Sequence, residues 1–147
     1  MLTITKRLEF DAGHRIPDHR SKCRSLHGHR YVLEVTLEGE PLDAPGCSDH
    51  GMLMDFSDVK AIAMAELVEP WDHAFLVWRG DHHIVEFLAT LPGHNTVLLD
   101  RVPTVENLAQ MAFEILAPQY QSRYGNALRL ARLRLYETPS AWAEVTA

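Results

Sequence analysis

From Tyr31 to Glu38 the chain reads Tyr-Val-Leu-Glu-Val-Thr-Leu-Glu. This β-branched, alternating run predicts a strand over residues 29–38. Residues 2–10 form an earlier extended segment, and residues 11–28, with Pro17, Asp18 and Ser21 as breakers, read as a loop between the two. After a turn-rich connection over 39–51 and a short extended piece over 52–56, a helix opens at Ser57-Asp58-Val59-Lys60. Asp55 or Ser57 supplies its N-cap, Val59, Ile62, Ala63 and Leu67 its apolar face, and Pro70 its end. Short strands follow around Ala74–Val77 and Thr96–Leu99, with a brief helix between Asp81 and Leu91. Pro103-Thr104-Val105-Glu106 carries a helix-start signature with Thr104 as cap. That helix runs to about Tyr120 with Leu108, Met111, Ala112, Ile115 and Leu116 toward a core. Leu128–Tyr136 alternates apolar and basic residues as a strand whose phase slips near Ala131, and a last strand lies within Ala141–Val145. The pattern predicts one α+β domain over residues 1–147, mainly antiparallel, with two longer helices on one face of the sheet. The other face then needs a cover, and a second subunit would supply it.

On that frame one cluster stands out. His27 and His29 are spaced i, i+2 at the start of the second strand, so their side chains point the same way. His14, near the end of the neighbouring strand, would bring a third imidazole. Three histidines leave one zinc position open, the arrangement of a catalytic rather than a structural site. Cys23 lies four residues before His27 and is not needed as a ligand. Two further groups are weaker. Asp72-His73 pairs a carboxylate with an imidazole that it could orient for proton transfer, although adjacent residues need not face each other. Glu137 ends the basic strand and either accepts two hydrogen bonds from an amidine-like edge or is a turn residue. Glu106, two residues after Thr104, adds negative charge at a helix N-terminus.

Composition narrows the class of protein. The 147 residues are 46% hydrophobic and 23% charged, suited to one globular domain without staples. No apolar run reaches membrane-spanning length, and the N-terminus lacks a signal-peptide layout, so a cytoplasmic location is expected. There Cys23 and Cys47 are expected as thiols rather than a disulfide. The net charge of −6 argues against nonspecific nucleic-acid binding. Lys6, Arg7, Arg15, Arg20, Lys22, Arg24 and Arg30 nevertheless outnumber Glu9, Asp11 and Asp18 in the first thirty residues. The histidine-bearing segment is thus basic within an acidic chain, which suits an anionic small-molecule substrate.

Taken in order, Phe10-Asp11-Ala12-Gly13-His14, Cys23-x-x-x-His27-Gly28-His29, Met54-Asp55-Phe56, Asp72-His73, Pro103-Thr104-Val105-Glu106-Asn107 and Tyr136-Glu137-Thr138 resemble the 6-pyruvoyltetrahydropterin synthase and 6-carboxytetrahydropterin synthase family over nearly the whole chain. The resemblance implies the tunnelling fold, an antiparallel β-sheet backed by two helices. Subunits would join as trimers whose sheets close into a β-barrel, and two trimers would stack as a hexamer. It implies zinc on His14, His27 and His29, Cys23 as catalytic base, and Asp72 with His73 as a proton relay. It also implies Glu137 as anchor of the pterin ring, with Thr104 and Glu106 nearby. The substrate would be 7,8-dihydroneopterin triphosphate. The expected product is 6-carboxytetrahydropterin, in the queuosine (7-deazapurine) pathway, with the pyruvoyl product as alternative. In a non-enzymatic zinc or pterin-binding protein of the same fold, a thiol beside an open metal position would serve no need. The stretch Arg79–Arg101, with His82, His83 and His94, is longer than the family pattern requires and is expected to present its histidines on the surface.

Overall fold

The computed structural model of the chain describes residues 1–124 and 127–147. Six strands, β1 (Leu2–His14), β2 (His27–Gly39), β3 (Ala74–Trp78), β4 (Thr96–Leu99), β5 (Leu128–Thr138) and β6 (Ala141–Thr146), form one mixed sheet in the order β4-β3-β1-β2-β5-β6. Four of its strands, β1, β2, β5 and β6, pair antiparallel in the expected way. β3 joins β1, and β4 joins β3, in parallel. The sheet is therefore mixed at one end, because each of these strands is reached by a crossover. α1 (Phe56–Ala63) and the short α2 (Glu69–Trp71) lead from β2 into β3, and α3 (His82–Ala89) links β3 to β4. The long α4 (Val105–Tyr124) precedes β5.

β1 continues through Asp11-Ala12-Gly13 to His14, where a loop was expected. Pairing with β2 is unbroken from Leu2↔Gly39 to His14↔His27, so those residues have partners for their backbone groups. Even positions of β1 and odd positions of β2 face inward: Leu8, Phe10, Ala12 and His14 against Tyr31, Leu33, Val35 and Leu37, all buried. The phase slip near Ala131 is a β-bulge. Leu37 pairs with Leu130 and Thr36 with Arg132, so Ala131 is the extra residue. Inward-facing residues change from Leu128 and Leu130 before it to Leu133 and Leu135 after it.

α1 and α4 cover the inner face. Asp55, not Ser57, caps α1: its carboxylate accepts from the Ser57 amide at 2.7 Å. The helix does not stop at Pro70. It passes through a π-helical segment, Met64–Val68, and ends one residue beyond the proline at Trp71. Residues 52–56 are bends rather than a strand. On α4, Leu108, Ala109, Ala112, Leu116 and Tyr120 are fully buried, and Met111 and Ile115 are half-buried at the margin of that stripe. The outer face of the sheet carries cross-strand ion pairs, among them Arg7–Glu34, Arg129–Glu38 and Arg134–Glu144.

The Arg79–Arg101 stretch supplies α3, β4 and a tie to the strand that carries His14. Asp81 precedes α3, but its side chain makes no cap. Both of its oxygens accept from the Arg15 guanidinium, at 2.7 and 2.6 Å, with the Asp81 side chain only 4% exposed. His82, His83 and His94 are exposed. Removal of Asp81 strands Arg15 beside the sheet end. Asp81→Ala is therefore expected to lower stability by about 1–3 kcal/mol in urea unfolding. Asp100→Ala, which breaks only the exposed Arg79–Asp100 pair, should cost less than about 1 kcal/mol.

Candidate metal centre and active site

Antiparallel pairing sets His14 directly opposite His27, and the two-residue strand repeat sets His29 beside them on the same face. Ring centroids are 4.6 Å apart for His14–His27 and 5.1 Å for both His14–His29 and His27–His29. One ligating atom from each of the three can be chosen so that all lie within 4.8 Å of one another, and this is the one such cluster of histidine, cysteine or carboxylate groups found among the described residues.

Backbone carbonyls orient two of the rings. His14 Nδ1–H donates to the Pro103 carbonyl at 2.8 Å, and His27 Nδ1–H donates to the Ser25 carbonyl at 2.7 Å. A carbonyl only accepts, so Nδ1 carries the proton and Nε2 presents its lone pair to the centre. This support of metal-binding histidines through the second nitrogen is the usual one. His14 is 1% exposed, and its Nε2 has no hydrogen-bond partner. A buried acceptor without a donor is costly; a cation among the three imidazoles would satisfy it. The donor set, neutral imidazole nitrogens only, suits zinc.

Burial, and next the backbone contact and the neighbouring imidazoles, bring the His14 pKa down to about 4, and desolvation also lowers that of His29. Both are thus neutral at pH 7, as ligation requires. The Tyr31 hydroxyl, fully buried, lies 3.3 Å from His14 Nδ1, and burial pushes its pKa up.

Glu137 reaches the same place. Its Oε1 is 3.6 Å from His14 Nε2 and 3.7 Å from His29 Nε2. It is the extra residue of a second bulge, between the pairs Tyr136↔Trp142 and Thr138↔Ala141, which frees its side chain from the regular pleat. Glu137 is therefore not a simple turn residue. With His29, Arg7, Arg30, Tyr136 and Thr138 it lines a cleft of about 460 Å³.

Asp72 and His73 stand apart from this cluster. They are strapped to β1: the Asp72 carboxylate accepts from the Asp11 amide at 3.0 Å, and the His73 amide donates to the Asp11 carbonyl at 2.6 Å. The strap holds His73 at φ 57°, a conformation rare outside glycine. The adjacent side chains do meet, with His73 Nδ1 3.0 Å from Asp72 Oδ2. Asp72 is held below the usual carboxylate range, chiefly by the Asp11 amide. His73 lines a separate groove with Asp11, Gly13, Gly28, Arg30, Phe75 and His94.

Cys23 is a free, half-buried thiol in the 3-10 turn Lys22–Arg24, and Cys47 is free and exposed. The Cys23 carbonyl accepts from the Ile16 amide at 2.7 Å, which folds the β1–β2 connection back beside the histidines. Thr104 is the α4 cap, its Oγ1 accepting from the Asn107 amide at 3.2 Å. Glu106 is exposed on the first turn of α4. Neither Thr104 nor Glu106 lines the Glu137 cleft of this subunit. Sequence reasoning missed the Pro103 carbonyl and the Tyr31 hydroxyl. The only trace of either is the position of Pro103 at the mouth of the predicted helix.

A sheet that begins and ends β1 and β2 in this way, with three histidines at their junction, defines a metal-dependent enzyme of the pterin-synthase class. The model of the 6-pyruvoyl tetrahydropterin synthase family matches residues 3–147, and the chain belongs to that family. It is 36% identical over 146 residues to a 6-carboxy-5,6,7,8-tetrahydropterin synthase of Rickettsia bellii, covering 99% of this chain and 100% of the relative. It is 32% identical over 147 residues to the Haemophilus influenzae protein of the same name, covering 98% of each. Among solved structures, the 6-pyruvoyl tetrahydropterin synthase of Caenorhabditis elegans superposes with a TM-score of 0.66 at 26% identity, covering 99% of this chain and 95% of that one. An uncharacterized Wolinella succinogenes protein shares the fold with a TM-score of 0.74 at 22% identity, covering 99% and 97%.

The lowered His14 pKa has a consequence for stability. In the unfolded chain His14 takes up a proton near pH 6.5, whereas in the fold it resists until about pH 4. Between these values the unfolded state binds more protons, so stability falls as pH falls, by up to about 1.4 kcal/mol per pH unit. Metal-free protein should therefore lose melting temperature more steeply between pH 6.5 and pH 4 than its His14→Asn variant. Parallel melting curves would show that His14 is not buried as a neutral group.

Proposed function

We propose that the chain is a zinc-dependent 6-carboxy-5,6,7,8-tetrahydropterin synthase that converts 7,8-dihydroneopterin triphosphate to 6-carboxytetrahydropterin, releasing acetaldehyde and triphosphate. The observation that carries the carboxy product is end-to-end similarity, at 36% identity, to a relative of that name. The 6-pyruvoyl product is the second reading, favoured by the name of the family model and of the Caenorhabditis elegans neighbour. The reaction would serve the queuosine pathway in the cytoplasm; no described helix is long and apolar enough to cross a membrane.

His14, His27 and His29 would hold the zinc. Bound there, zinc would act as a Lewis acid toward side-chain oxygens of the substrate and acidify the adjacent C–H. Cys23, on the loop joining two of the ligands, is assigned as the base that takes this proton. The electron pair moves toward the pterin ring, and His73, oriented through Nδ1 by Asp72, returns a proton. Triphosphate departs and, for the carboxy product, the side chain is cleaved. Glu137 is assigned as the acceptor for the ring's adjacent N–H and amino donors, a planar edge that one carboxylate matches.

In this reading Thr104 and Glu106 belong to the pterin pocket, and His73 meets Cys23 across a subunit boundary in a trimer or pair of trimers. The separation of the His73 groove from the histidine cluster within one chain supports that assembly.

Incubation with dihydroneopterin triphosphate should yield acetaldehyde in equal amount to triphosphate. Triphosphate without acetaldehyde would favour the pyruvoyl enzyme. Cys23→Ala should lower turnover by about 10²–10⁴ while zinc stays bound; zinc loss would make Cys23 a ligand. Mixed oligomers of Cys23→Ala and His73→Ala should regain part of the activity, and absence of recovery would put both residues in one subunit's site.

A further inference from the structure

The distances around Glu137 ask for an explanation that a ring anchor alone does not give. Its Oε1 faces the Nε2 atoms of His14 and His29 at 3.6 and 3.7 Å. That is too long for a hydrogen bond, for which N–H···O distances run to about 3.2 Å. Three atoms with outward lone pairs and no proton between them repel one another unless a cation sits among them. In His14 the Nδ1 proton is already engaged by Pro103, so Nε2 has only its lone pair to offer. A tetrahedral zinc site with arms of about 2.0–2.1 Å has ligand–ligand edges of about 3.4 Å. The Glu137 separations fall close to that edge.

We infer that Glu137 is the fourth ligand of the resting metal centre, and that it leaves the metal for the pterin ring when substrate arrives. The inference rests on the three-histidine reading above. Two further observations support it. Glu137 is the unpaired residue of a β-bulge, so its side chain is not held by the ladder. It also borders both the histidine cluster and the cleft of about 460 Å³, so one carboxylate has both destinations within reach. The exchange has a chemical use. With Glu137 on the metal, all four positions of a tetrahedral site are filled and the centre is closed to stray anions. A bound pterin withdraws the carboxylate and opens a position for the substrate's own oxygens. The position opens only when the correct ring is in place.

The test uses the full-length protein, stripped of metal and reloaded with one equivalent of Co²⁺, whose visible spectrum reports its ligands. The probe is a 7,8-dihydropterin without side-chain hydroxyls, which cannot itself supply those oxygens. In the wild type, saturation with this pterin, followed by its own fluorescence, should change the Co²⁺ spectrum. Glu137→Gln should differ from the wild type before pterin is added, and should not change further afterwards. It should also hold Co²⁺ at least about tenfold more weakly in competition with a chelator, since even an indirect partner is worth about 10–100-fold. An unchanged wild-type spectrum at pterin saturation would overturn the exchange, whatever the variant does. Identical spectra and affinities for the wild type and Glu137→Gln would overturn the ligand assignment while leaving the three-histidine site intact. If instead the wild type does not take up one Co²⁺, or the His27→Ala, His29→Ala double variant keeps it, the histidine reading itself fails and the inference falls with it.

Discussion

The register of β1 against β2 is the constraint on which the rest of the site depends. From Leu2↔Gly39 to His14↔His27 the pairing has no irregularity. A slip of one residue would turn Leu33, Val35 and Leu37 outward and scatter the imidazoles between two faces. Burial of that apolar row therefore fixes the ligand geometry. Each of these residues is 0% exposed, and fully burying one such side chain is worth about 1.5–3 kcal/mol. The energy that specifies the metal site is hydrophobic and lies mostly away from it.

The end of the hairpin is further braced from outside. Pro103, at the mouth of α4, supplies the carbonyl that sets the His14 tautomer. Asp81, ahead of α3, grips Arg15. Asp72 and His73 close on both backbone groups of Asp11. Three connections from three parts of the chain thus converge on β1 between Asp11 and Arg15. Catalytic geometry needs this redundancy, because ligands displaced by about 1 Å lose much of their function. The Arg79–Arg101 stretch, without a role in the family pattern, has one here as the source of the Arg15 clamp.

Much of this was legible in the chain. The i, i+2 spacing of His27 and His29 predicted a shared face, Thr104 predicted the α4 cap, and the interrupted alternation at Ala131 marked a bulge. What escaped was non-local. Asp11-Ala12-Gly13 has turn-like composition, and only a partner strand beginning at His27 makes it extended. The parallel placement of β3 and β4 leaves no periodic signal of its own, since strand direction is decided by crossovers. Pro70 promised a helix end, but a π-helical segment carries the helix past it to Trp71. The bulge at Glu137 depends on where β6 starts, so the aim of that carboxylate could not be read from Tyr136-Glu137-Thr138 alone.

The central claim is that a cation belongs among His14, His27 and His29. Anomalous diffraction at the zinc edge, from crystals of the protein purified without chelator, tests it most directly. The account predicts one peak per chain, about 2.0–2.1 Å from Nε2 of His14 and from a ring nitrogen of each of the other two. A peak bound elsewhere, or none among the three rings, would contradict it.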